Sequence, residues 1–232
     1  MTTPTPKITL HTYFRSSCSA RLRIALALKS LSYTSIPTNL LKNEQFSPEN
    51  TTLNPSATVP TLILDYPETP TSKPHTITIT QSLAALEYIE ESFQDTGTPL
   101  LPPPSDPSAR ALVRTLSAII ACDIQPVTNL RILKRVAPFG VDRTVWSKGL
   151  IEDGFAAYEA IAKRSAGRFS VGDAVSMADV CLIPAVWGAE RVGVDLGEYP
   201  TIQRVAGALE EVQAVREGHW MTQGDTPVEF RG

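Results

Sequence analysis

The segment YFRSSCSARLRIALALKS, residues Tyr13–Ser30, joins a strand pattern to a helix pattern. KITLHTY, which leads into it, alternates apolar and polar residues as a half-buried strand does, and ARLRIALALKS carries apolar residues around most of a helix. YTSIP then gives a second short strand. Strand, helix and strand within about thirty residues predict a βαβ unit, with a right-handed crossover between two parallel strands.

Two further β-rich runs, TLILD and TITIT, precede the helical pattern QSLAALEYIEESF. The order β-α-β-α-β-β-α is therefore expected to be complete by Phe93. YPETPTSKPH, between the two runs, is too long and Pro-rich for a tight hairpin, so we expect an exposed loop there. After the Pro-rich connector QDTGTPLLPPPSDPSA nearly every segment is helical in period. The pattern predicts an α/β domain over residues 1–95, a linker over 96–107 and an all-α domain over 108–232.

Composition places the chain among ordinary soluble globular proteins. Its 232 residues are 42% hydrophobic and 19% charged, with a net charge of -3, so we expect no nucleic-acid partner. No apolar run approaches the roughly 18 residues of a membrane span, and no signal-peptide core follows the first residue. Three widely spaced cysteines suggest reduced thiols, with no metal motif. We therefore expect a cytoplasmic protein that binds no membrane and no metal.

The first 43 residues contain no Asp or Glu but six Lys or Arg. Such a bias is also found in mitochondrial transit peptides, or could form a solvated basic face. The arginines, however, follow a strand pattern and punctuate an apolar helix, which favours a folded element over a targeting segment.

The SSCS run at residues 16–19 stands where the strand meets the helix. A helix start exposes backbone N–H groups and the positive end of the dipole, so it is a ready anion site. Ser16 or Ser17 would cap the helix, or would point outward and donate to a ligand thiolate. A charge-assisted hydrogen bond of about 1.5–3 kcal/mol and a dipole contribution of about 0.3–1 kcal/mol would lower a thiol pKa by about one to three. A second motif, SMAD at Ser176–Asp179, predicts a capping box with a structural role.

Several segments together resemble the zeta class of glutathione transferases. The segments are SSCSARLRIALAL, NPSATVPTL, QSLAALEYIEE, IQPVTNLRIL and VSMADVCLIPAVWGAERVGVD. The SSCS and IQPxxNL motifs are specific to that class, whereas the VP and QS pairs are general to glutathione transferases. The likeness runs from Ile8 to Arg231, and it implies a thioredoxin-like N-terminal domain, an all-helical C-terminal domain and a homodimer.

The resemblance implies an enzyme with glutathione as its cofactor. Ser16 would donate to the glutathione sulfur, and Ser17 and Cys18 would line the catalytic site. Val59 would pair through its backbone with the cysteinyl amide, ahead of a cis Pro60. The other implied glutathione-binding residues are Gln45 at the glycyl end, Gln81 and Ser82 at the γ-glutamyl carboxylate, and Gln125 and Asn129, expected on one helix face beside a kink at Pro126.

The implied reaction is the cis–trans isomerisation of maleylacetoacetate to fumarylacetoacetate in tyrosine and phenylalanine catabolism, with glutathione transferase activity besides. Thiolate addition makes the double bond a rotatable single bond, and elimination then returns the thiolate. A dicarboxylate substrate and a developing enolate require positive charge. Arg15 and Arg191 are the candidates for binding the substrate, because a guanidinium fork matches a carboxylate. The alternative for Arg191 is a surface charge at a helix end.

Ala20 stands where the family usually has Trp, and the Tyr66–His75 loop is longer than usual. Substrate preference therefore stays open, and a general transferase that conjugates or dehalogenates small electrophiles such as α-haloacids is an alternative. A thiol transferase using Cys18 is disfavoured, because the nucleophilic cysteine of such relatives stands at the position of Ser16. A non-catalytic binding module is also disfavoured, since such modules would be expected to lose the SSCS hydroxyls.

Overall fold

The computed structural model describes residues 5–231, so residues 1–4 and 232 of the predicted domains lie outside the described residues. The chain divides into two units, one formed by residues up to Gly97 together with those from Glu217 onward, and the other by Thr98–Arg216. The first is built on a sheet and the second on helices. The observed boundary differs from the expected one at the C-terminus, because the last residues group with the first unit.

The first unit contains one four-stranded sheet in the order β2-β1-β3-β4. β1 pairs in parallel with β2 and antiparallel with β3, which pairs antiparallel with β4. The βαβ unit and the order β-α-β-α-β-β-α are thereby confirmed. The strands are β1 Lys7–Thr12, β2 Thr34–Pro37, β3 Thr61–Tyr66 and β4 His75–Ile79, and the helices are α1 Ser17–Leu28, α2 Pro48–Leu53 and α3 Ser82–Ser92.

Alternation along the strands builds the core of this unit. Leu10 on β1 and Leu62 and Leu64 on β3 are completely buried. On β1, the residues that alternate with the buried ones are more exposed. In contrast, α1 is buried nearly all round, as its apolar sequence indicates. The loop between β3 and β4 is exposed, as expected, and the Tyr66 and His75 rings stack at its base with centroids 4.9 Å apart.

The second unit is helical. Its helices are α4 Pro107–Ala118, α5 Gln125–Thr128, α6 Leu130–Val136, α7 Arg143–Ala162, α8 Met177–Arg191 and α9 Pro200–Glu210, and α10 Gln213–Gly218 follows across the unit boundary. A π-helical turn, Ile119–Ile124, joins α4 to α5. The Pro-rich segment expected as a linker packs into this unit instead: Leu100 is completely buried, and its carbonyl accepts a 2.7 Å hydrogen bond from the Met177 N–H.

The stretch Pro107–Phe139 is long and apolar enough to span a membrane by length and composition alone, since an 18-residue window within it has a mean hydropathy of 1.2. The sequence expectation concerned uninterrupted apolar runs, and this stretch is interrupted by Arg114, Asp123 and Arg131. The result is weak support for a span, because core helices of soluble proteins pass the same test. The stretch is also not one regular helix, since the π-helical turn and extended backbone at Asn129, with ψ at 159°, interrupt it.

A buried capping box starts α8, as predicted. The Asp179 carboxylate accepts hydrogen bonds from the Ser176 N–H at 2.8 Å, from the Ser176 hydroxyl at 2.9 Å and from the Ser170 N–H at 2.8 Å. Burial raises the pKa of Asp179, and these hydrogen bonds oppose the rise. One carboxylate therefore fixes both the start of α8 and the loop before it.

We expect Asp179→Ala to lower the free energy of unfolding by about 2–4 kcal/mol, because it leaves buried donors without an acceptor. Asp142 is the control, since its carboxylate also accepts backbone N–H groups at a helix start, there as the N-cap residue of α7, but is exposed. Asp142→Ala should cost only about 1 kcal/mol. Urea unfolding followed by circular dichroism measures both, and equal losses would show that burial adds nothing at Asp179.

Candidate active site

Ser16 ends the loop after β1 and caps α1. Its backbone is extended, with φ −76° and ψ 117°, and its hydroxyl oxygen accepts from the Ser19 N–H at 3.2 Å. Because the oxygen acts as acceptor, the hydroxyl hydrogen is left to donate. The two roles considered for this hydroxyl are therefore compatible. Ser16, Ser17 and Cys18 are all half-buried, and Cys18 is a free thiol.

Arg21 links the starts of two helices and was not placed in the site by the sequence analysis. It is 1% exposed, and its Nη1 donates to the Ser82 hydroxyl at 3.1 Å and to the Cys18 sulfur at 3.8 Å. Its Nε is buried with no hydrogen-bond partner among residues 5–231. The structure thus brings Cys18 and Ser82 together around one cation. The signal for Arg21 in the sequence was a cation one turn after Cys18, in a largely apolar helix pattern.

The start of α3 is a second candidate anion site in the same unit. Gln81 is its N-cap residue, is exposed and makes no side-chain cap hydrogen bond. The first N–H groups of α3 therefore have no side-chain cap from Gln81, and Arg21 adds positive charge beside Ser82. This arrangement suits a carboxylate, which is the group expected at Gln81 and Ser82. Their contact with the γ-glutamyl carboxylate stays a prediction.

Three further expected residues of the first unit lie outside its strands and α-helices: Val59 and Pro60 directly precede β3, and Gln45 lies in the 3₁₀ turn Glu44–Phe46. The Val59–Pro60 peptide bond is cis, as the resemblance implied. Val59 is buried in a small cluster with Tyr13 and Phe14, the residues that precede Arg15. Gln45 is 7% exposed, and its side-chain oxygen is buried without a hydrogen-bond partner among the described residues. A ligand N–H, such as that of a glycyl residue, would satisfy this oxygen.

Gln125 and Asn129 do not share one helix face, so that expectation is wrong. α5 begins at Gln125 and ends at Thr128, and Asn129 has extended backbone. The Asn129 amide accepts from the Ile132 N–H at 3.0 Å and donates to the Pro126 carbonyl at 2.8 Å. Asn is a favoured N-cap because it can make such bonds, so the chain breaks there and starts α6. Pro126 stands in the first turn of α5, where a missing N–H is tolerated.

The two expected substrate arginines lie in different units. Arg15 is half-buried directly before Ser16, and its guanidinium carbon lies 5.8 Å from the centre of the Phe14 ring. It lines a cavity of about 310 Å³. Arg191 is the exposed last residue of α8, a position that also favours a cation through the helix dipole. Ala20 is 1% exposed, so its methyl group packs in the interior.

Comparison with known proteins agrees with this geometry. Residues 15–92 match the family model of the glutathione S-transferase N-terminal domain. The chain is 72% identical over 225 residues to the maleylacetoacetate isomerase of Emericella nidulans, covering 97% of this chain and 96% of that protein.

Two solved structures resemble the whole chain. A maleyl pyruvate isomerase described as a bacterial zeta-class glutathione S-transferase has a TM-score of 0.83 and 36% identity, covering 94% of this chain and 100% of that one. The maleylacetoacetate isomerase of Anaeromyxobacter dehalogenans, with dicarboxyethyl glutathione and citrate in its active site, has a TM-score of 0.84 and 34% identity, covering 96% and 99%. The chain has a thioredoxin-like domain followed by helices, the SSCS start of α1, and 72% identity over almost its full length to a maleylacetoacetate isomerase. It therefore belongs to the glutathione S-transferase family, in its zeta or maleylacetoacetate isomerase class.

Proposed function

We propose that this protein catalyses the glutathione-dependent isomerisation of maleylacetoacetate to fumarylacetoacetate. The observation that carries the proposal is the start of α1, where Ser16 caps the helix through its oxygen and keeps its hydroxyl hydrogen for a ligand. The near-identical length and 72% identity of the Emericella nidulans isomerase support the same substrate. The chain is therefore an enzyme in which glutathione acts as cofactor.

The residues of the first unit fit glutathione. Two buried polar atoms, Arg21 Nε and Gln45 Oε1, have no partner among the described residues, as is expected where a polar ligand completes the hydrogen bonding. The helix start at α3 offers N–H groups to a carboxylate, and the start of α1 offers them to a thiolate. A tripeptide with carboxylates at its ends and a thiol between them has the matching chemistry.

Glutathione supplies the thiolate that adds reversibly to the activated double bond, so that rotation can occur and the thiol is returned. Ser16 donates its hydroxyl hydrogen to the sulfur and so favours the thiolate over the thiol. The positive end of the α1 dipole also favours the thiolate, and no acidic residue in the first turn of α1 offsets it. Ser17 and Cys18, half-buried in that turn, line the same position.

Arg15 and Arg191 bind the substrate carboxylates in this proposal. Arg15 follows the two aromatic residues of the β1–α1 loop and immediately precedes Ser16, which supports a role at the reacting end of the substrate. Its guanidinium fork can hold a carboxylate bidentately. Arg191, at the end of α8, is the candidate for the second carboxylate. The homodimer and the cytoplasmic location expected from the sequence stay predictions.

The activity is tested by following conversion of maleylacetoacetate with and without catalytic amounts of glutathione. Fast, strictly glutathione-dependent isomerisation without loss of thiol is the expected result. Glutathione binding with no isomerisation, but with conjugation or dehalogenation of an α-haloacid, would instead support the general transferase alternative. Ala20, where the family usually has Trp, would then be the first residue to exchange.

Ser16→Ala should lower turnover at neutral pH at least about tenfold, because one hydrogen bond to a charged sulfur is lost. Since Ser16 also caps α1, its loss should reduce stability by about 1 kcal/mol as well. Ser16→Thr keeps both the hydroxyl and the cap and should restore most of the activity. If Ser16→Ala kept the turnover of the parent, or if Ser17→Ala lost more turnover, the hydrogen-bond donor to the glutathione sulfur would be a residue other than Ser16.

Arg191→Ala should raise the KM for maleylacetoacetate while leaving the Kd for glutathione unchanged. The physical reason is the loss of a charge-assisted pair to one substrate carboxylate, worth about 1.5–3 kcal/mol or roughly ten- to a hundredfold. Arg191→Lys keeps the charge without the guanidinium fork, so its KM for maleylacetoacetate should lie between those of the parent and of Arg191→Ala. Steady-state kinetics gives the KM for maleylacetoacetate, and isothermal titration calorimetry gives the Kd for glutathione. An unchanged KM would identify Arg191 as a charge at a helix end that does not bind the substrate.

A further inference from the structure

The C-terminal segment, residues 217–231, packs against the loop that carries Ser16. This segment belongs to the same unit as the β1–α1 loop, residues 13–16. The Asp225 carboxylate accepts a 2.8 Å hydrogen bond from the Phe14 N–H. Trp220 packs against the cluster formed by Tyr13, Phe14 and Val59. The end of the chain therefore contacts the two residues that lead into Arg15 and Ser16.

A buried arginine holds the same loop from the other side. Arg23 is 1% exposed, and its Nη2 donates to the Phe14 carbonyl at 3.0 Å. Its Nη1 donates to the Thr12 hydroxyl at 3.0 Å, and its Nε donates to the Gly218 carbonyl at 3.1 Å. One guanidinium thus joins the end of β1, the loop and the C-terminal segment.

Phe14 is fixed at both of its backbone groups. Its N–H is bound by Asp225 and its carbonyl by Arg23. The following turn is closed by the Ser16 N–H, which donates to the Tyr13 carbonyl at 2.9 Å. Because only Arg15 lies between Phe14 and Ser16, the direction of the Ser16 side chain follows from how Phe14 is held.

Asp225 is itself held in place. The Arg231 side chain donates to the carbonyls of Gly224 and Thr226, each at 2.9 Å, and so closes the turn that contains Asp225. The Thr226 hydroxyl donates to the Trp220 carbonyl. The carboxylate is therefore presented to the Phe14 N–H by a turn with its own hydrogen bonds.

We propose that Asp225 is a positioning residue, which fixes the β1–α1 loop through the Phe14 N–H so that the Ser16 hydroxyl meets the glutathione sulfur in its productive geometry. The inference rests on the proposed function. The negative charge of Asp225 disfavours a nearby thiolate, so its benefit is geometric: its side-chain oxygen accepts the hydrogen bond that fixes the Phe14 N–H. Displacement of a catalytic group by about 1 Å can slow a reaction roughly a hundredfold.

The test compares Asp225→Ala with Asp225→Asn, which keeps a side-chain acceptor for the Phe14 N–H and removes the charge. Glu229→Ala is the matched control, because Glu229 is an exposed acid of the same C-terminal segment and, like Asp225, lines the cavity beside Arg15. For each protein, the pKa of enzyme-bound glutathione is titrated by the ultraviolet absorbance of the thiolate. The kcat and KM for maleylacetoacetate and the midpoint of thermal unfolding are measured beside it.

In Asp225→Ala we expect the pKa of the bound thiol to rise by at least about 0.5 and kcat at neutral pH to fall at least about threefold, since the thiolate fraction falls with the pKa. Asp225→Asn and Glu229→Ala should keep the parent's thiol pKa or show a lower one, with kcat within about twofold of the parent. Should Asp225→Ala fail to fold, Asp225→Gln, whose acceptor is displaced by one methylene, serves in its place with the same expectation.

A lower unfolding midpoint in Asp225→Ala with the thiol pKa and kcat of the parent would overturn the inference, because the contact would then be structural only. Asp225→Asn as impaired as Asp225→Ala would overturn it too, since charge rather than the acceptor would matter. If the parent itself neither binds glutathione nor lowers its thiol pKa, the proposed function fails, and the inference with it. The parent's titration therefore tells the two failures apart.

Discussion

The capped start of α1 is the constraint on which the rest of the site depends. Ser16 ends the loop that follows β1, and its side chain must satisfy the Ser19 N–H while it stays accessible to a ligand. A serine can do this because its oxygen accepts for the helix while its hydrogen remains for a ligand. An apolar residue would leave the helix uncapped, and a carboxylate would cap it but would repel a thiolate. The hydroxyl is therefore suited to both tasks at once.

Two buried arginines of α1 support this start from opposite sides. Arg21 and Arg23 are two residues apart, which is about 200° around a helix, so they serve different neighbours. Arg21 reaches Ser82 at the start of α3, and Arg23 reaches the end of β1 and Gly218. Burial lowers the pKa of Arg23 to about 10, so it still carries its charge at neutral pH. Carbonyl and hydroxyl oxygens compensate part of the cost of burying it.

This arrangement also explains the absence of acids from the first 43 residues. A solvated basic face was one interpretation of that bias, yet Arg21, Arg23 and Lys29 are all interior. Lys29 pairs with Glu90 at 2.8 Å and donates to the Phe93 carbonyl at 3.1 Å. Each of these cations binds at least one group that lies far away in sequence. Local composition showed the excess of charge, but not that the partners come from α3 and the C-terminal segment.

The sequence by itself determined what depends on local chemistry. Period and turn residues predicted the βαβ start, SMAD predicted the cap of α8, and the SSCS motif predicted a helix start whose hydroxyl either caps the helix or donates to a ligand. Only the tertiary structure decided the rest: that Arg21 joins Cys18 to Ser82 and that Asp225 binds the Phe14 N–H. Caps and periodicity act over a few residues, whereas Asp225 and Phe14 are 211 residues apart, and their contact exists only once the sheet and the C-terminal segment have packed.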